Sequence, residues 1–237
     1  MKVRGERECK SCGTRWSYYR TGSVTCPECG SMRSVGVDDR TEHTASPAAL
    51  DLTEVRKGYD DAGTVRETAE RAADVCHEYV RQYGFVHAGQ LQPLSEVYVG
   101  AQELAAVGDE IGRRMRVDDE TELYVLELLR GVDDGERPDP ESVPDAMRQP
   151  RGLAVCRALE AYHRDVTRLR DDLVDASAAP LLERVRDHRK RIEALDGGVD
   201  PQDGERLLRA MQDLGAYLIE DDETAFVRAQ SRLDELP

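Results

Sequence analysis

Lysine, aromatic side chains and long apolar runs are all scarce in this chain of 237 residues. Lysine occurs at positions 2, 10, 57 and 190 only, so arginine supplies the other 29 of the 33 basic side chains. Phe, Trp and Tyr together make up 5% of the sequence. No apolar run approaches the roughly 18 residues that a transmembrane helix needs, and no apolar segment follows Met1 as in a secretory signal. We therefore expect neither a membrane span nor a signal peptide.

The acidic residues outnumber the basic ones, 48 to 33, which leaves a formal net charge of −15. A chain rich in Asp and Glu but poor in lysine and aromatics is similar in composition to the proteins of salt-accumulating halophiles. Molar salt shortens the Debye length to about 3 Å, so a charge density that would repel in dilute buffer becomes tolerable. We interpret the protein as acidic and halophilic. An acidic disordered chain is the alternative, and the helical periodicity described below argues against it.

Four of the six cysteines form two Cys-x2-Cys pairs separated by 13 residues, and each pair is followed by a glycine. The pairs are Cys9 with Cys12 and Cys26 with Cys29, and the glycines are Gly13 and Gly30. Two cysteines three positions apart can chelate one ion if the chain turns sharply between them, and glycine permits the positive φ on which such a turn ends. Four thiolates in a tetrahedron suit Zn²⁺ first and iron second. The spacing therefore predicts a closed four-cysteine metal site, with zinc preferred over iron.

The residues around these pairs indicate a small three-stranded ribbon over residues 1–37. Thr14–Arg20 is rich in strand-forming residues, Thr21–Ser23 is a turn signal, and Val24–Thr25 can return antiparallel. Arg33, Val35 and Val37 alternate on an expected third strand. A unit of this size cannot bury a sizeable core, so we expect metal binding to supply most of its folding free energy.

The motifs CKSCG and CPECG, joined by a short aromatic hairpin, resemble the zinc ribbon of transcription factor B-type proteins. They are also similar to the iron-binding, rubredoxin-like module of rubrerythrins. That module has an aromatic directly after its first Cys-Cys-Gly, whereas Thr14 stands here and the aromatic follows at Trp16. Taken whole, a ribbon on an acidic helical body resembles uncharacterised haloarchaeal zinc-ribbon proteins. These resemblances imply a metal-binding ribbon and no particular activity.

The other two cysteines, Cys76 and Cys156, stand alone within helical patterns and are interpreted as buried thiols. Six cysteines of which four bind a metal are typical of a reducing compartment. We therefore expect a cytoplasmic protein.

Beyond the ribbon, the sequence predicts a linker over 38–63, with one short helix from Asp51 to Lys57, and an all-helical body over 64–237. Thr64-x-x-Glu67 is a capping box that opens the first long helix, for which Gly84 is the expected C-terminal cap. Apolar residues then recur every three or four positions, which predicts an antiparallel bundle of about six to seven helices.

Residues 132–150 contain four prolines and many acids, so we expect an exposed connector that divides the body into two parts. The longest helix is expected over about 151–178.

The charge is divided unevenly between the predicted parts. Residues 1–37 hold seven basic and three acidic side chains, whereas the remaining residues hold 26 basic and 45 acidic ones. We therefore expect a partner to contact the ribbon, with Arg15, Tyr19 and Arg20 as the candidate partner-binding residues. Charge-driven affinity for nucleic acid falls steeply with salt, so a protein partner is favoured and nucleic acid is the secondary candidate.

A carboxylate-bridged di-metal site is the enzymatic alternative, because rubrerythrins pair a rubredoxin-like module with a four-helix bundle. The sequence offers Glu160-x-x-His163 and, with aspartate in place of glutamate, Asp74-x-x-His77. Five histidines in a chain of this acid content give about one such pair by chance, and nothing singles out further ligands such as Glu103 or Glu127. No Gly-x-Ser-x-Gly, phosphate-loop or dinucleotide motif is present.

The basic segment 184–191, RVRDHRKR, could contact nucleic acid or an acidic partner, although a solvated helix surface is the ordinary explanation of such a run. The function that we predict is a non-catalytic adaptor or regulatory protein, connected to transcription by analogy with the ribbon alone. A rubrerythrin-like redox protein and a non-catalytic oligomeric helical protein are the alternatives that the sequence leaves open.

Overall fold

In the computed structural model, residues 1–61, 63–169 and 173–237 are described, and they contain seven short strands and nine α-helices. The strands are β1 (Lys2–Arg4), β2 (Glu6–Cys9), β3 (Arg15–Ser17), β4 (Ser34–Gly36), β5 (Arg40–Glu42), β6 (Val86–His87) and β7 (Gln90–Leu91). The helices are α1 (Tyr18–Thr21), α2 (Thr53–Asp60), α3 (Val65–Gln82), α4 (Glu96–Arg113), α5 (Asp119–Gly131), α6 (Arg148–Arg168), α7 (Ala178–Ala194), α8 (Pro201–Glu220) and α9 (Glu223–Asp234). The protein is therefore mostly α-helical with a small N-terminal β region, as the sequence predicted.

The ribbon contains a three-stranded antiparallel sheet in the order β3-β2-β4. The central strand, β2, ends on Cys9, the first cysteine of the first pair, and the sequence did not reveal this strand. The residues Glu-Arg-Glu-Cys lack the apolar alternation of a half-buried strand, because Glu6 is exposed and Arg7 and Glu8 are only partly covered in so thin a sheet. The third predicted strand is confirmed as β4.

Two local predictions in the ribbon were wrong. The strand expected over Thr14–Arg20 ends at Ser17, and α1 follows it as a single helical turn that ends on Gly22 at φ 62°. Val24 and Thr25 do not form a strand. Local hydrogen bonds explain the difference, since the Thr25 backbone N–H donates to Ser23 Oγ and holds the chain in a turn.

The segment predicted as a linker, 38–63, is attached to both neighbouring parts of the chain. Its strand β5 pairs antiparallel with β1. Its helix α2 packs against α3, and Leu52 and Val55 are buried in the core of the body. Ala62 lies outside the described residues. The predicted short helix is confirmed, although it begins at Thr53, two residues after Asp51, and runs three residues beyond Lys57.

Seven helices, α3 to α9, build the body, counted over its described residues. Successive contacts join α3 to α4, α4 to α6, α6 to α7, α7 to α8 and α8 to α9. The capping box at Thr64 and Glu67 is confirmed, since each side chain accepts from the other residue's backbone N–H. The predicted long helix over 151–178 is shorter in its described part: α6 ends at Arg168, α7 begins at Ala178, and residues 170–172 of the prediction lie outside the described residues.

The connector at 132–150 is exposed at eight of its 19 residues but buried at six, so it is anchored in the core and is only in part the exposed connector that we predicted. Val132, Val143 and Met147 are covered almost completely, and the side chain of Arg137 is only 5% exposed. One continuous apolar core extends from Leu50 to Leu233 and includes residues on both sides of the connector. Its prolines and acids form short 3₁₀ turns that fold back onto the helices. None of the described helices combines the length and apolar character needed to cross a membrane.

Gly84 does not act as the left-handed helix cap that the sequence suggested. Helix α3 ends on Tyr83, whose backbone is extended, and Gly84 has no positive φ. A Cβ at this position would lie 2.3 Å from the backbone oxygen of Thr44. Glycine is needed here because the segment following β5 crosses the end of α3 at close range.

Candidate metal centre

The four predicted cysteine ligands come together in the ribbon. Their Sγ atoms all lie within 4.8 Å of one another, and the Cys9–Cys29 and Cys12–Cys26 Sγ distances are both 3.6 Å. A Zn–S bond of about 2.3 Å places two sulfurs of a regular tetrahedron about 3.8 Å apart. The four sulfurs therefore fit one tetrahedral ion. Among the described residues, this is the only cluster of three or more cysteine, histidine or acidic side chains with metal-binding geometry.

The two cysteine pairs have the same backbone geometry. Gly13 N–H donates to Cys9 O and Gly30 N–H donates to Cys26 O, each at 3.0 Å. Both glycines have a positive φ, 78° and 67°, as predicted from the sequence. Cys9 N–H donates to Thr14 O and Cys26 N–H donates to Ser31 O, each at 2.9 Å, which closes each turn from the other side. This repeated turn points both thiols of each pair toward one centre.

Two contacts hold the cysteine turns together. Ser11 Oγ and Ser31 Oγ are hydrogen-bonded at 3.0 Å, and Lys10 N–H donates to Arg33 O at 2.8 Å. The second contact continues the pairing of β2 with β4 beyond the strand ends. The sheet therefore fixes the distance between two ligand pairs that are 13 residues apart in sequence.

Half of the site is shielded from solvent and half is open. Cys9 and Cys26 are each 1% exposed and form a small apolar cluster with Trp16, whereas Cys12 and Cys29 are exposed. The indole Nε1 of Trp16 donates to Ser23 O at 3.0 Å, which holds the ring beside the buried sulfurs. Trp16 therefore covers the cysteine site and is not free to stack on a partner.

Backbone donors favour thiolate at part of the site. Hydrogen bonds from the Cys12 and Ser11 backbone lower the pKa of Cys9 to about 6. At Cys29 the Ser31 backbone also favours the anion, but the neighbouring Cys12 and Cys9 thiols and burial outweigh it and raise the pKa to about 12. Four adjacent thiolates repel one another, so a bound cation is needed to ionise the whole set.

The three candidate partner-binding residues have different surroundings. Arg15 is exposed and donates to Glu8 Oε2 from Nε at 3.0 Å and from Nη2 at 2.9 Å. Arg20 is exposed and makes no hydrogen bond or ion pair within the described residues. Tyr19 lies where the ribbon meets the body and is only partly exposed. That these residues contact a partner stays a prediction.

The Tyr19 ring joins an aromatic cluster that the sequence did not indicate. Its centroid lies 4.6 Å from that of His43 and 5.5 Å from that of His87, and its hydroxyl is 2.5 Å from Thr41 Oγ1. Immediately after His43, Thr44 Oγ1 donates to Asp165 Oδ2 on α6 at 2.6 Å. Because these contacts join residues far apart in sequence, no local pattern could have predicted them. They attach the ribbon to the hairpin β6–β7 and to α6.

The residues nominated for a di-metal site do not form one. The imidazole Nε2 of His77 lies 3.1 Å from Asp109, and neither it nor His163 belongs to a cluster with metal-binding geometry in the described part of the chain. Glu103 is hydrogen-bonded to the Tyr124 hydroxyl and paired with Arg137 and Arg151. The described geometry therefore gives the rubrerythrin-like alternative no support.

Glu103 belongs to a buried ring of alternating charges. It contacts Arg137 at 2.9 Å and Arg151 at 3.0 Å, and both arginines also contact Glu205 Oε2, at 3.0 and 3.4 Å. All four side chains are less than a fifth exposed. Burial raises the pKa of Glu205, but the neighbouring Arg137, Arg209 and Arg151 outweigh it and hold the pKa below its ordinary value. The ring is charge-balanced and joins α4, α6 and α8 to the connector, which is a structural role.

The chain matches no curated protein and no solved structure. A family model described as "Family of unknown function (DUF7117)" matches residues 1–233, which is nearly the whole chain. The match includes the cysteine site, the segment that follows it and the helical body. The protein therefore belongs to this family of unknown function, DUF7117.

Proposed function

We propose that the protein is a non-catalytic adaptor or regulatory protein whose zinc-binding ribbon contacts a protein partner. The observation that carries the proposal is the closed four-sulfur site, with cross-pair Sγ distances of 3.6 Å. Structural zinc sites use four protein ligands, whereas a catalytic site keeps one position for water or substrate. An ion held by all four cysteines has no position left for chemistry, so its work is to hold the ribbon's surface in shape.

Zinc is the proposed ion and iron is the alternative, since a tetrathiolate site accepts both. The rubredoxin-like reading is weakened by Thr14, which stands where that module has an aromatic. Metal analysis after mild purification is expected to find about one zinc per chain. A visible absorption band with iron at that stoichiometry would reverse the assignment, because a zinc tetrathiolate is colourless.

Exposed apolar side chains support a protein partner at the ribbon. Of nine large apolar side chains that are exposed in the described residues, five lie within residues 1–37, about a sixth of the chain. Met32 is 75% exposed, and Val35 and Val37 are 39% and 45% exposed on and beside the edge strand β4. Exposed apolar groups concentrated in one small unit are typical of a protein contact surface.

A cationic side chain, Arg15, lies on the same sheet face as one of these apolar side chains. Arg15, Glu8 and Val35 are opposite one another across β3, β2 and β4, so their side chains share one face of the sheet. The side chain of Arg15 is 69% exposed although its guanidinium is paired with Glu8. A partner that combines apolar and acidic groups would match this face, and apolar contact remains effective at salt concentrations that screen charge.

The proposed working environment is a salt-rich, reducing cytoplasm. The acidic composition supports the first part of this proposal, because a net charge of −15 is tolerated best when it is screened. The second part is supported by the six cysteines, none of which forms a disulfide in the described residues. A transcription-related partner is proposed on the resemblance of the ribbon alone.

The contact surface is tested by paired substitutions at matched exposed apolar positions. The full chain is first used to identify the partner that remains bound at molar salt. Met32→Asp combined with Val35→Asp is then expected to abolish binding, with zinc content and the helical circular-dichroism signal unchanged. The matched control is Leu123→Asp combined with Val227→Asp, at body positions that are 68% and 63% exposed. Loss of the partner in the control, with retention in the ribbon variant, would place binding on the body.

A further inference from the structure

Two adjacent helices of the body reverse its charge locally. Helix α6 carries five basic and two acidic side chains, and α7 carries five basic and three acidic ones. The chain after residue 37 holds 26 basic and 45 acidic side chains in all. Basic residues are therefore concentrated on one pair of contacting helices within an otherwise acidic body. In so acidic a body, a local concentration of cations is the place where an anion is held most favourably.

The two helices enclose a groove made of two adjoining cavities of about 260 and 250 Å³. His163 of α6 and Arg186 of α7 line both cavities. Arg164 and Arg189 line one of them. The rest of the groove includes apolar side chains from both helices, among them Leu159, Val166, Leu182 and Val185. The groove therefore offers cationic groups beside an apolar wall.

Arg186 has a hydrogen-bond donor without an acceptor in this groove. Its Nη2 donates to Glu183 Oε1 at 2.9 Å, but its Nε is shielded from solvent and has no hydrogen-bond acceptor in the described residues. The nearby Asp187 Oδ1 is 3.7 Å away, beyond hydrogen-bonding distance. A buried donor that lacks an acceptor is costly. The Arg186 side chain is 41% exposed, and a small rotation of it would let a ligand oxygen in the groove reach this Nε and remove that cost.

Arg164 is the second cation available to a ligand. It is exposed, and it forms no hydrogen bond or ion pair with other described residues. Arg189, by contrast, is already paired with Glu193 at 3.0 Å and lies 3.9 Å from Glu160. The groove thus has two arginines with unused donors, and it has acids at Glu160 and Glu183 that would repel a long polyanion.

We propose that the groove between α6 and α7 binds a small organic anion, an oxyanion head group on a short apolar skeleton. The head group, carboxylate or phosphate, accepts hydrogen bonds from Arg186 and Arg164, whose planar forks fit either group. The apolar skeleton packs on the leucine and valine side chains of the two helices. Glu160 and Glu183 limit the ligand to a compact head, which disfavours a nucleic-acid backbone. The site is separate from the ribbon and does not depend on the adaptor function.

Four small probes separate the parts of this proposal when titrated calorimetrically into the full chain at constant ionic strength. Hexanoate and butyl phosphate carry both head and skeleton, and whichever binds more tightly identifies the preferred head group. Hexanamide lacks the charge, and inorganic phosphate lacks the skeleton. We expect measurable binding of one or both of the first pair and much weaker binding of the second pair. Equal binding of hexanamide, equal binding of inorganic phosphate, or no binding of any probe would overturn the proposal.

A matched pair of variants tests the position of the site. Arg186→Gln removes the charge from an i,i+3 ion pair with Glu183, and Arg113→Gln does the same to the exposed i,i+3 pair with Glu110 on α4. Loss of a charged hydrogen bond predicts at least about tenfold weaker binding in Arg186→Gln and no change in Arg113→Gln. Arg164→Gln is a second variant, at an exposed position where no effect on folding is expected. Unchanged affinity in both Arg186→Gln and Arg164→Gln would refute this location.

Discussion

Arg151 and Glu103 form a buried ion pair between α6 and α4, with Nη1 and Oε1 3.0 Å apart and both side chains no more than 3% exposed. The same Nη1 donates to Pro138 O at 3.0 Å, which attaches the connector to the pair. A buried charge is tolerated only when partners replace its lost hydration. Here the second carboxylate, Glu205, and the second guanidinium, Arg137, complete a balanced set.

Removing one charge from this set is expected to destabilise the fold strongly. Glu103→Gln leaves Arg137 and Arg151 buried with one carboxylate fewer, and breaking a buried pair in this way costs about 3–5 kcal/mol. The measurement is the free energy of unfolding from denaturant titration. The control is Glu54→Gln, which removes an exposed i,i+3 pair with Lys57 and is expected to cost less than about 1 kcal/mol. Equal losses of unfolding free energy in the two variants would mean that the buried ring contributes no more to stability than an exposed ion pair does.

The cysteine site and this charged ring show what local sequence can predict. Two ligands three residues apart and a glycine after them constrain the same turn, so the spacing alone predicts the geometry at Cys9 and Cys12. The start of α3 was also predictable, because the capping box at Thr64 is local, whereas the C-terminal cap of α3 and the end of α6 depend on packing and were not. Glu103 and Arg151 are 48 residues apart, and the packing of helices brings them together. Strand β2 was missed for a related reason, since its charged residues gain their strand partners only in the folded ribbon.

The acidic body is expected to gain stability from salt. At low ionic strength its 45 acidic and 26 basic side chains repel on balance, and screening removes that repulsion as the Debye length falls from about 10 Å at 0.1 M to about 3 Å at 1 M. Thermal melts in potassium chloride from about 0.1 to 2 M are expected to show a steadily rising melting temperature. A flat profile would contradict both this prediction and the halophilic interpretation.

The attachment of the ribbon is expected to weaken in mild acid through His43. Burial, with His87 and the N-terminal ammonium nearby, lowers the pKa of His43 from its ordinary value of 6.5. The unfolded chain therefore binds a proton at His43 more readily than the folded chain does. The stability that neutral His43 contributes is complete above its ordinary pKa and is lost as the pH falls below that value. Its ring also contacts Tyr19 and accepts a hydrogen bond from Ala88 N–H at Nδ1.

Urea midpoints measured from about pH 7.5 to 5 test this dependence. The native chain should lose stability across that range, whereas His43→Gln is expected to start lower and lose less. Aspartates whose pKa is lowered, such as Asp133 beside Arg56, change the stability only below about their ordinary pKa of 3.8, so they do not contribute in this pH range. Parallel profiles for the two proteins would show that His43 does not carry the effect.

Removing the metal is expected to unfold the ribbon and leave the helices folded. Trp16 is the only tryptophan in the chain, and it is 7% exposed in the cluster with Cys9 and Cys26, so its fluorescence reports on the cysteine site alone. A ribbon too small for a core of its own depends on the metal for its folding free energy. After a strong chelator is added, the Trp16 emission should shift to the red while the helical circular-dichroism signal changes little, because the helices share a separate core.

Cys12→Ser should show the red-shifted emission from the start. Cys76→Ala is the matched control, since burial raises the pKa of that thiol to about 12 and it lies in the body core, and it should retain both the metal and the native emission. If the helical signal collapsed together with the tryptophan shift, the metal would be needed by the whole fold and the ribbon could not be treated as a separately stabilised unit.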